Sequence, residues 1–387
     1  MYKLLKDDKH VKHYNTDNHS FFINKDTGFT CRLPAFNNRL GELILPNKAF
    51  DNTMDMEKLI NTNNIMSYMG MVEEPNPFWC SDGPELLDIM ITENCNRSCA
   101  YCYQSAGNSS NHMSLVLYEN ILQQVQPTVA QIALGGGETT MHPDFIEVLR
   151  MTREDYGIVP NYTTNGDWLY DSDLSESSKI AKATQKYCGA VAVSAHGERS
   201  QWESKAVMLA NYGIKTNIHF ILGEDTIDEA TDILNIGLNS KINAIVFLLY
   251  KPVGRASSEG VLKSKDKIER FFKAMENSEM KLGFDACSAP MIASMTEINM
   301  MSMDYCEGSR FSGYIHWNGE VKACSFDKAK GVNIQQKKFI DIWQEDLQKY
   351  RDQMLGCKCD CEFKEHCQGG CLFSKEIVLC NQEGKDI

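Results

Sequence analysis

Three cysteines stand within eight residues: Cys95, Cys99 and Cys102, spaced C-x3-C-x2-C. Thiolates this close can converge on one soft metal centre, and four-iron clusters are held by cysteine thiolates. No fourth cysteine continues the spacing. One iron would therefore keep an open position, as catalytic metal sites do. A zinc knuckle or a redox dithiol is the alternative for the same three residues.

A second group occupies the last third. Cys306 and Cys324 flank Asn318-Gly319, a strong hairpin-turn dipeptide. The turn would bring both thiols together from opposite ends of a hairpin over residues 311–317 and 320–323. Cys357, Cys359, Cys361, Cys367, Cys371 and Cys380 follow. These eight match the ligand count of two four-iron clusters. Structural zinc is the alternative, but zinc favours paired C-x2-C knuckles, which the block lacks.

The elements that must position these residues alternate. Apolar runs at 86–91, 131–134, 159–162, 190–193, 215–222 and 244–250 read as strands. Helix-like stretches at 115–125, 143–156, 174–186, 203–212 and 226–238 separate them. Six strands with five interleaved helices predict a parallel α/β sheet, with too few units for a closed eight-unit barrel. Chemistry in parallel barrels gathers at the C-terminal strand ends, and the cysteine triplet follows the first strand. Residues 259–278 read as a helical linker, 281–285 as a further strand and 341–354 as a helix. Ahead of the barrel, 19–23 and 28–33 read as strands around a polar turn, and 55–69 as a helix.

With an aromatic, Tyr101, before its last cysteine, the triplet resembles the radical S-adenosylmethionine (SAM) superfamily. The resemblance implies a partial (β/α)6 barrel whose open iron chelates SAM. One electron would then cleave SAM to a 5′-deoxyadenosyl radical. Further motifs follow in family order. Gly135-Gly136-Gly137-Glu138 resembles the stretch that holds the SAM amino group, with Thr139 where proline is usual. Thr164-Asn165-Gly166 resembles the stretch near the SAM ribose and carboxylate, and Ser194 ends the fourth strand in a matching position. Arg199 and Lys205 compete for a cationic SAM contact, and neither spacing matches well. Leu222, ending the fifth strand, completes the expected SAM-binding set of Tyr101, Gly136, Gly137, Glu138, Asn165 and Ser194. His219 on the same strand reads as a core histidine.

Gly254-Arg255-Ala256 and the C-terminal cysteines resemble members carrying the SPASM extension, except that Cys357-Lys358-Cys359-Asp360-Cys361 replaces C-x2-C. The resemblance implies one auxiliary cluster on Cys306, Cys324 and Cys371 and another on Cys361, Cys367 and Cys380. Cys357 and Cys359 would complete one each, in an open order. Cys287 stands apart as a buried thiol, an extra ligand or a catalytic hydrogen-atom donor. The expected organisation is an N-terminal segment over 1–84, either a leader-peptide binder by strand addition or a plain cover of the barrel, then a barrel over 85–280 and a SPASM domain over 281–387.

The expected activity is hydrogen abstraction from a peptide or protein, forming a cross-link. A sulfatase-type maturase or epimerase, a small-molecule enzyme and an electron-transfer protein without SAM chemistry are the alternatives. Three [4Fe-4S] clusters and SAM are the expected cofactors, with flavodoxin or ferredoxin as the low-potential reductant. A net charge of −13 argues against non-specific nucleic-acid binding. Fifteen cysteines, without an apolar signal-like N-terminus or a run of some 18 apolar residues, point to a reducing cytoplasm and no membrane partner.

Overall fold

The computed structural model describes residues 3–7, 11–15, 19–24, 30–34, 83–170, 174–295, 306–353 and 371–374. The helix expected over 55–69 and Cys357, Cys359, Cys361, Cys367 and Cys380 lie outside the described residues.

The N-terminal sheet is an antiparallel meander of β1 (Lys3–Asp7), β2 (Val11–Asn15), β3 (His19–Asn24) and β4 (Thr30–Pro34). The expected hairpin is β3–β4, with Ile23 opposite Thr30. β1 and β2 went unread because charged residues interrupt their short apolar runs. Lys12 of β2 is buried and donates to the carbonyl of Gln126, tying this sheet to the main body.

The main sheet is built from β5 (Leu86–Thr92), β6 (Gln131–Gly136), β7 (Val159–Thr164), β8 (Val191–Ser194), β9 (Thr216–Leu222), β10 (Ala244–Leu249) and β11 (Leu282–Phe284). Each is parallel to the next. The crossovers carry α1 (Leu115–Val125), α2 (Phe145–Arg150), α3 (Leu174–Tyr187), α4 (Arg199–Asn211), α5 (Ile227–Ile236) and α6 (Lys265–Glu276). The result is the expected partial barrel. The further strand expected over 281–285 joins this same sheet beside β10. At the other side β12 (Ser312–Ile315) pairs in parallel with β5, followed by antiparallel β13 (Glu320–Lys322) and β14 (Val332–Asn333).

Strand alternation divides the residues between two environments. Ile218, Phe220 and Leu222 of β9 are buried in the core with the helices, whereas Asn217, His219 and Ile221 are half-buried on the inner face. On β10, Phe247 is fully buried and meets Phe271 of α6 edge-on, with centroids 5.1 Å apart. Helix ends follow local chemistry. Ser114 caps α1 by accepting from the Leu117 amide at 3.2 Å. α2 passes into a π-turn at Met151–Asp155, where Thr152 Oγ1 donates back to the Val148 carbonyl at 2.6 Å. The helix expected over 341–354 is likewise broken by a π-turn at Ile342–Asp346.

Candidate active site

The cysteine triplet occupies the loop after β5. The Cys95 amide donates to the Gly107 carbonyl at 2.8 Å, and the Cys102 amide to the Cys99 carbonyl at 3.2 Å. All three thiols are half-buried and free of disulfides. Burial above all pushes the Cys95 and Cys99 thiols up, and the neighbouring thiols act in the same direction. The Arg97 amide donates to Cys95 Sγ at 3.4 Å.

Four separate strand ends hold this loop. From β6, the Gly137 amide donates to the Thr92 carbonyl and the Glu138 amide to the Asn94 carbonyl, each at 2.8 Å. A Cβ on Gly136 (φ +122°) would lie 2.2 Å from the Thr92 carbonyl oxygen, and one on Gly137 2.1 Å from that of Asn94. These glycines are therefore needed where backbone meets the cysteine loop. From beyond β10, Arg255 donates through its amide to the Cys102 carbonyl (3.0 Å), through Nε to that of Cys99 (2.9 Å) and through Nη1 to that of Ala106 (2.8 Å). Gly254 (φ +71°) allows the approach, since a Cβ there would lie 2.4 Å from the Tyr103 carbonyl oxygen.

After β7, the turn Asn165-Gly166-Asp167 meets the same loop through side chains. Asn165 Nδ2 donates to Asn96 Oδ1 at 2.8 Å, and Arg97 donates to both Asp167 oxygens. Buried Lys205 supports the turn from α4, donating to the Asn165 carbonyl (3.1 Å) and to Asp167 Oδ1 (2.6 Å). Burial alone would raise the Asp167 carboxyl, but Arg97 and Lys205 outweigh it and hold it at about 2. After β8, Tyr101 and His196 close the ring, 2.7 Å between Oη and Nδ1. Burial, with Arg97 nearby, lowers His196 to about 4. The neutral imidazole is paired with the phenol through Nδ1, with the tautomer setting which of the two donates.

Glu138 is buried and joins β6 to β7. Its Oε1 accepts from Thr164 Oγ1 (2.7 Å) and Thr140 Oγ1 (2.8 Å), and its Oε2 from the Asn165 amide (2.8 Å). Ser194 is half-buried at the end of β8. Two expected SAM contacts are not brought here. Arg199 bonds Glu203 and the Gly237 carbonyl at the end of α5. Leu222 is fully buried on the helix side of β9, because alternation turns Ile221 inward instead. On the inner face His219 lies 3.3 Å from Thr163 Oγ1 and is lowered to about 4 by burial. Asp88 is raised to about 6 by burial. Arg97, Asp167 and His196 escaped sequence reasoning as a set, because no fixed spacing links their three loops.

The second thiol group assembles as the hairpin requires. Gly319 takes φ +88° between β12 and β13, and Cys324 follows β13. Cys306 and Cys371 lie within charge-interaction range of Cys324. Cys287 stands in the 3-10 turn Ala286–Ser288 after β11, and its thiol and that of Cys371 influence each other's ionisation. Among the described residues, no three Cys, His, Asp or Glu side chains close to single-ion geometry. A polynuclear cluster spreads its ligands more widely than one ion does.

Residues 89–235 match the model of the Radical SAM superfamily. The chain contains a radical SAM domain. Its curated relatives include a GTP 3′,8-cyclase of Listeria welshimeri, 26% identical over 202 residues. That match covers 45% of this chain and 56% of the relative, so the chain spans about half the length of the curated relatives it matches. Among solved structures, Streptococcus suis SuiB bound to precursor peptide SuiA matches with a TM-score of 0.67 and 16% identity over 96% of both chains. Native anSMEcpe with bound AdoMet and Cp18Cys peptide matches at 0.53 and 16%, over 74% of this chain and 89% of that one. Around the radical SAM domain, then, the likeness is one of fold. Among the described residues no helix is long and apolar enough to cross a membrane.

Proposed function

We propose that the chain is a radical SAM enzyme that modifies a peptide, with auxiliary iron–sulfur clusters in a SPASM-type segment over 281–387. Cys95, Cys99 and Cys102 would hold the first cluster. Three free thiols on one clamped loop suit it, and Gly135 faces open space where a side chain would otherwise stand. That opening along the strand ends suits a bound nucleotide. Bound there, the cluster and SAM would supply a carbon-centred radical able to take a hydrogen atom from an unactivated carbon.

The chain's own residues bind, orient and shield. Glu138 Oε2, with one donor among the described residues, would keep acceptor capacity for the SAM ammonium. Asn165 and Ser194 are candidates for the ribose and carboxylate. Tyr101 and His196 cover the loop from the β8 side, and Lys205 acts indirectly by fixing the Asn165 turn.

The observation that carries the peptide reading is the likeness in fold to SuiB over 96% of both chains. Among the described residues β1 and β4 are the edges of the N-terminal sheet, and an edge can accept an extended peptide as a further strand. A leader-binding role for residues 1–84 rests on this. The similarity to GTP 3′,8-cyclases covers under half of the chain and favours the radical chemistry without the nucleotide substrate. A reducing cytoplasm and a flavodoxin- or ferredoxin-type reductant suit exposed cluster chemistry.

The test is anaerobic incubation of the reconstituted chain with SAM, reductant and precursor peptides encoded beside its gene, with GTP as a second arm. Release of 5′-deoxyadenosine with loss of two hydrogen atoms from a peptide is expected for a cross-link. Normal SAM cleavage with every peptide unchanged, or turnover of GTP, would overturn the substrate reading.

A further inference from the structure

We propose that Asp88 is a specificity-determining residue, binding the cationic head of a lysine or arginine side chain that the peptide substrate extends into the barrel. This deepens the reading above and rests on its peptide substrate. The inner face of the sheet gives such a side chain room. Asp88, Ala133, Asn161, Thr163, His219 and Val246 are half-buried there, whereas their strand neighbours Ile89, Ile132, Tyr162, Ile218 and Phe247 are buried against the helices. A closed parallel barrel fills its interior with side chains; this face keeps accessible surface.

In the strand register Asp88 stands opposite Ala133 of β6 and Tyr314 of β12. Alanine has no donor to offer. The Tyr314 hydroxyl accepts from Gln104 Nε2 at 3.1 Å and donates to Met90 Sδ at 3.2 Å. Among the described residues no donor reaches the Asp88 carboxylate. Gly135, two residues further along β6, has open space where a Cβ would stand, so the way down from the strand ends is clear on that side.

The other carboxylates around the opening are matched. Glu138 accepts from Thr140, Thr164 and Asn165, and Asp167 from Arg97 and Lys205. Asp285, two residues before Cys287, pairs with buried Lys251 at 2.6 Å, and Lys251 lies over the ring of Phe326, two residues past Cys324. Arg255 is engaged with the carbonyls of the cysteine loop. His219, lowered to about 4 by burial, is neutral at pH 7 and balances no charge. Burial raises Asp88 to about 6, so it still carries its charge at neutral pH. A sheltered carboxylate without donor or counter-charge is costly, and a cation brought by the substrate removes that cost. Asp88 precedes Thr92 by four residues, about 13 Å along the strand from its C-terminal end. A backbone amide held at the rim does not reach that depth. A long apolar stem with a charged head does, and lysine and arginine have such stems. The α-amine of a peptide lacks one.

The experiment has two arms, both on the full iron-loaded chain with SAM bound. The first titrates n-butylammonium and n-butylguanidinium at constant ionic strength, read by anaerobic saturation-transfer NMR, with 1-butanol as the neutral control. Asp88→Asn keeps the shape and removes the charge. It should weaken both cations about 10-fold or more and leave butanol unmoved. It should also melt no lower than the parent, because an unmatched charge is gone; a carboxylate needed by the fold would lower the melting temperature. Equal cation affinity in the two proteins, or a lower melting temperature in the variant, would overturn the proposal. The second arm replaces each lysine and arginine of the precursor peptides by methionine, one at a time, and separately acetylates the α-amine. One replacement should raise KM about 10- to 150-fold in the parent and add nothing in Asp88→Asn, since both changes delete the same pair. Acetylation should leave KM unchanged. Losses that add, or a loss on acetylation alone, would overturn the side-chain assignment. Peptides left unmodified by the parent, with Asp88-dependent cation binding intact in the first arm, would remove the peptide reading and leave the cation site standing.

Discussion

Arg255→Ala should loosen the cysteine loop while leaving the fold intact. The change deletes two guanidinium hydrogen bonds, from Nε to the Cys99 carbonyl and from Nη1 to that of Ala106, and keeps the main-chain bond to Cys102. Hydrogen bonds from charged groups contribute about 1.5–3 kcal/mol when sheltered and less in water. The Nε bond is exposed and the Nη1 bond partly buried, so the pair is worth about 2–3 kcal/mol of loop order. At about 1.4 kcal/mol per tenfold, the open loop should become roughly 30- to 150-fold more populated. The assay is anaerobic iron release to a chelator, counting only iron absent from the variant lacking Cys95, Cys99 and Cys102. If release runs through loop opening, its rate should rise by the same factor. Arg255→Lys should recover only part of the loss, because an ammonium lacks the planar fork. Release within threefold of the parent chain, with thermal stability unchanged, would refute the clamp.

Four further outcomes are expected. Gly137→Ala should fail to retain iron and unfold earlier, because its Cβ would meet the Asn94 carbonyl oxygen at 2.1 Å; iron content and thermal melting check this. His196, lowered to about 4 from about 6.5, contributes stability that is present above pH 6.5 and lost as pH falls towards 4. Half-burial limits the effect to about 1–2 kcal/mol, and denaturant titrations of the iron-free His196→Gln variant should show a flatter pH profile. Phe247→Ala should cost about 3–5 kcal/mol in the same titrations, since it empties the centre of the Phe220, Phe271 and Phe284 cluster. Lys251→Met should make an auxiliary midpoint potential more negative by tens of millivolts in an EPR-monitored titration, since a buried cation stabilises the reduced, more negative state.

The barrel was legible because its strands are short apolar runs and its helices carry a 3.6-residue period. The boundaries that slipped have local causes. α4 starts at Arg199, four residues before the expected start, because its first turn is largely polar and carries no apolar stripe. α2 was expected as one helix, but Thr152 turns its hydroxyl onto Val148, which periodicity does not register. The cysteine triplet and the glycine motif were visible as spacing. Their mutual dependence was not, since Gly136 and Gly137 matter through contact with Thr92 and Asn94, more than forty residues earlier. The Leu222 side chain faces the core on a parity that burial reveals and composition does not. Lys251 and Cys287 are joined only through the fold.

β12 lies in register along β5, with Ser312 opposite Leu86 and Ile315 opposite Ile89. The strand that launches the first thiol loop and the hairpin that carries Cys324 are thus planks of one floor. Their separation is set by ladder hydrogen bonds, so any electron hop between the two sulfur centres would cross a fixed gap. Cutting the chain after residue 280 would bare the flank of β5, an apolar strand broken before Thr92 only by Asp88, and such a fragment should self-associate.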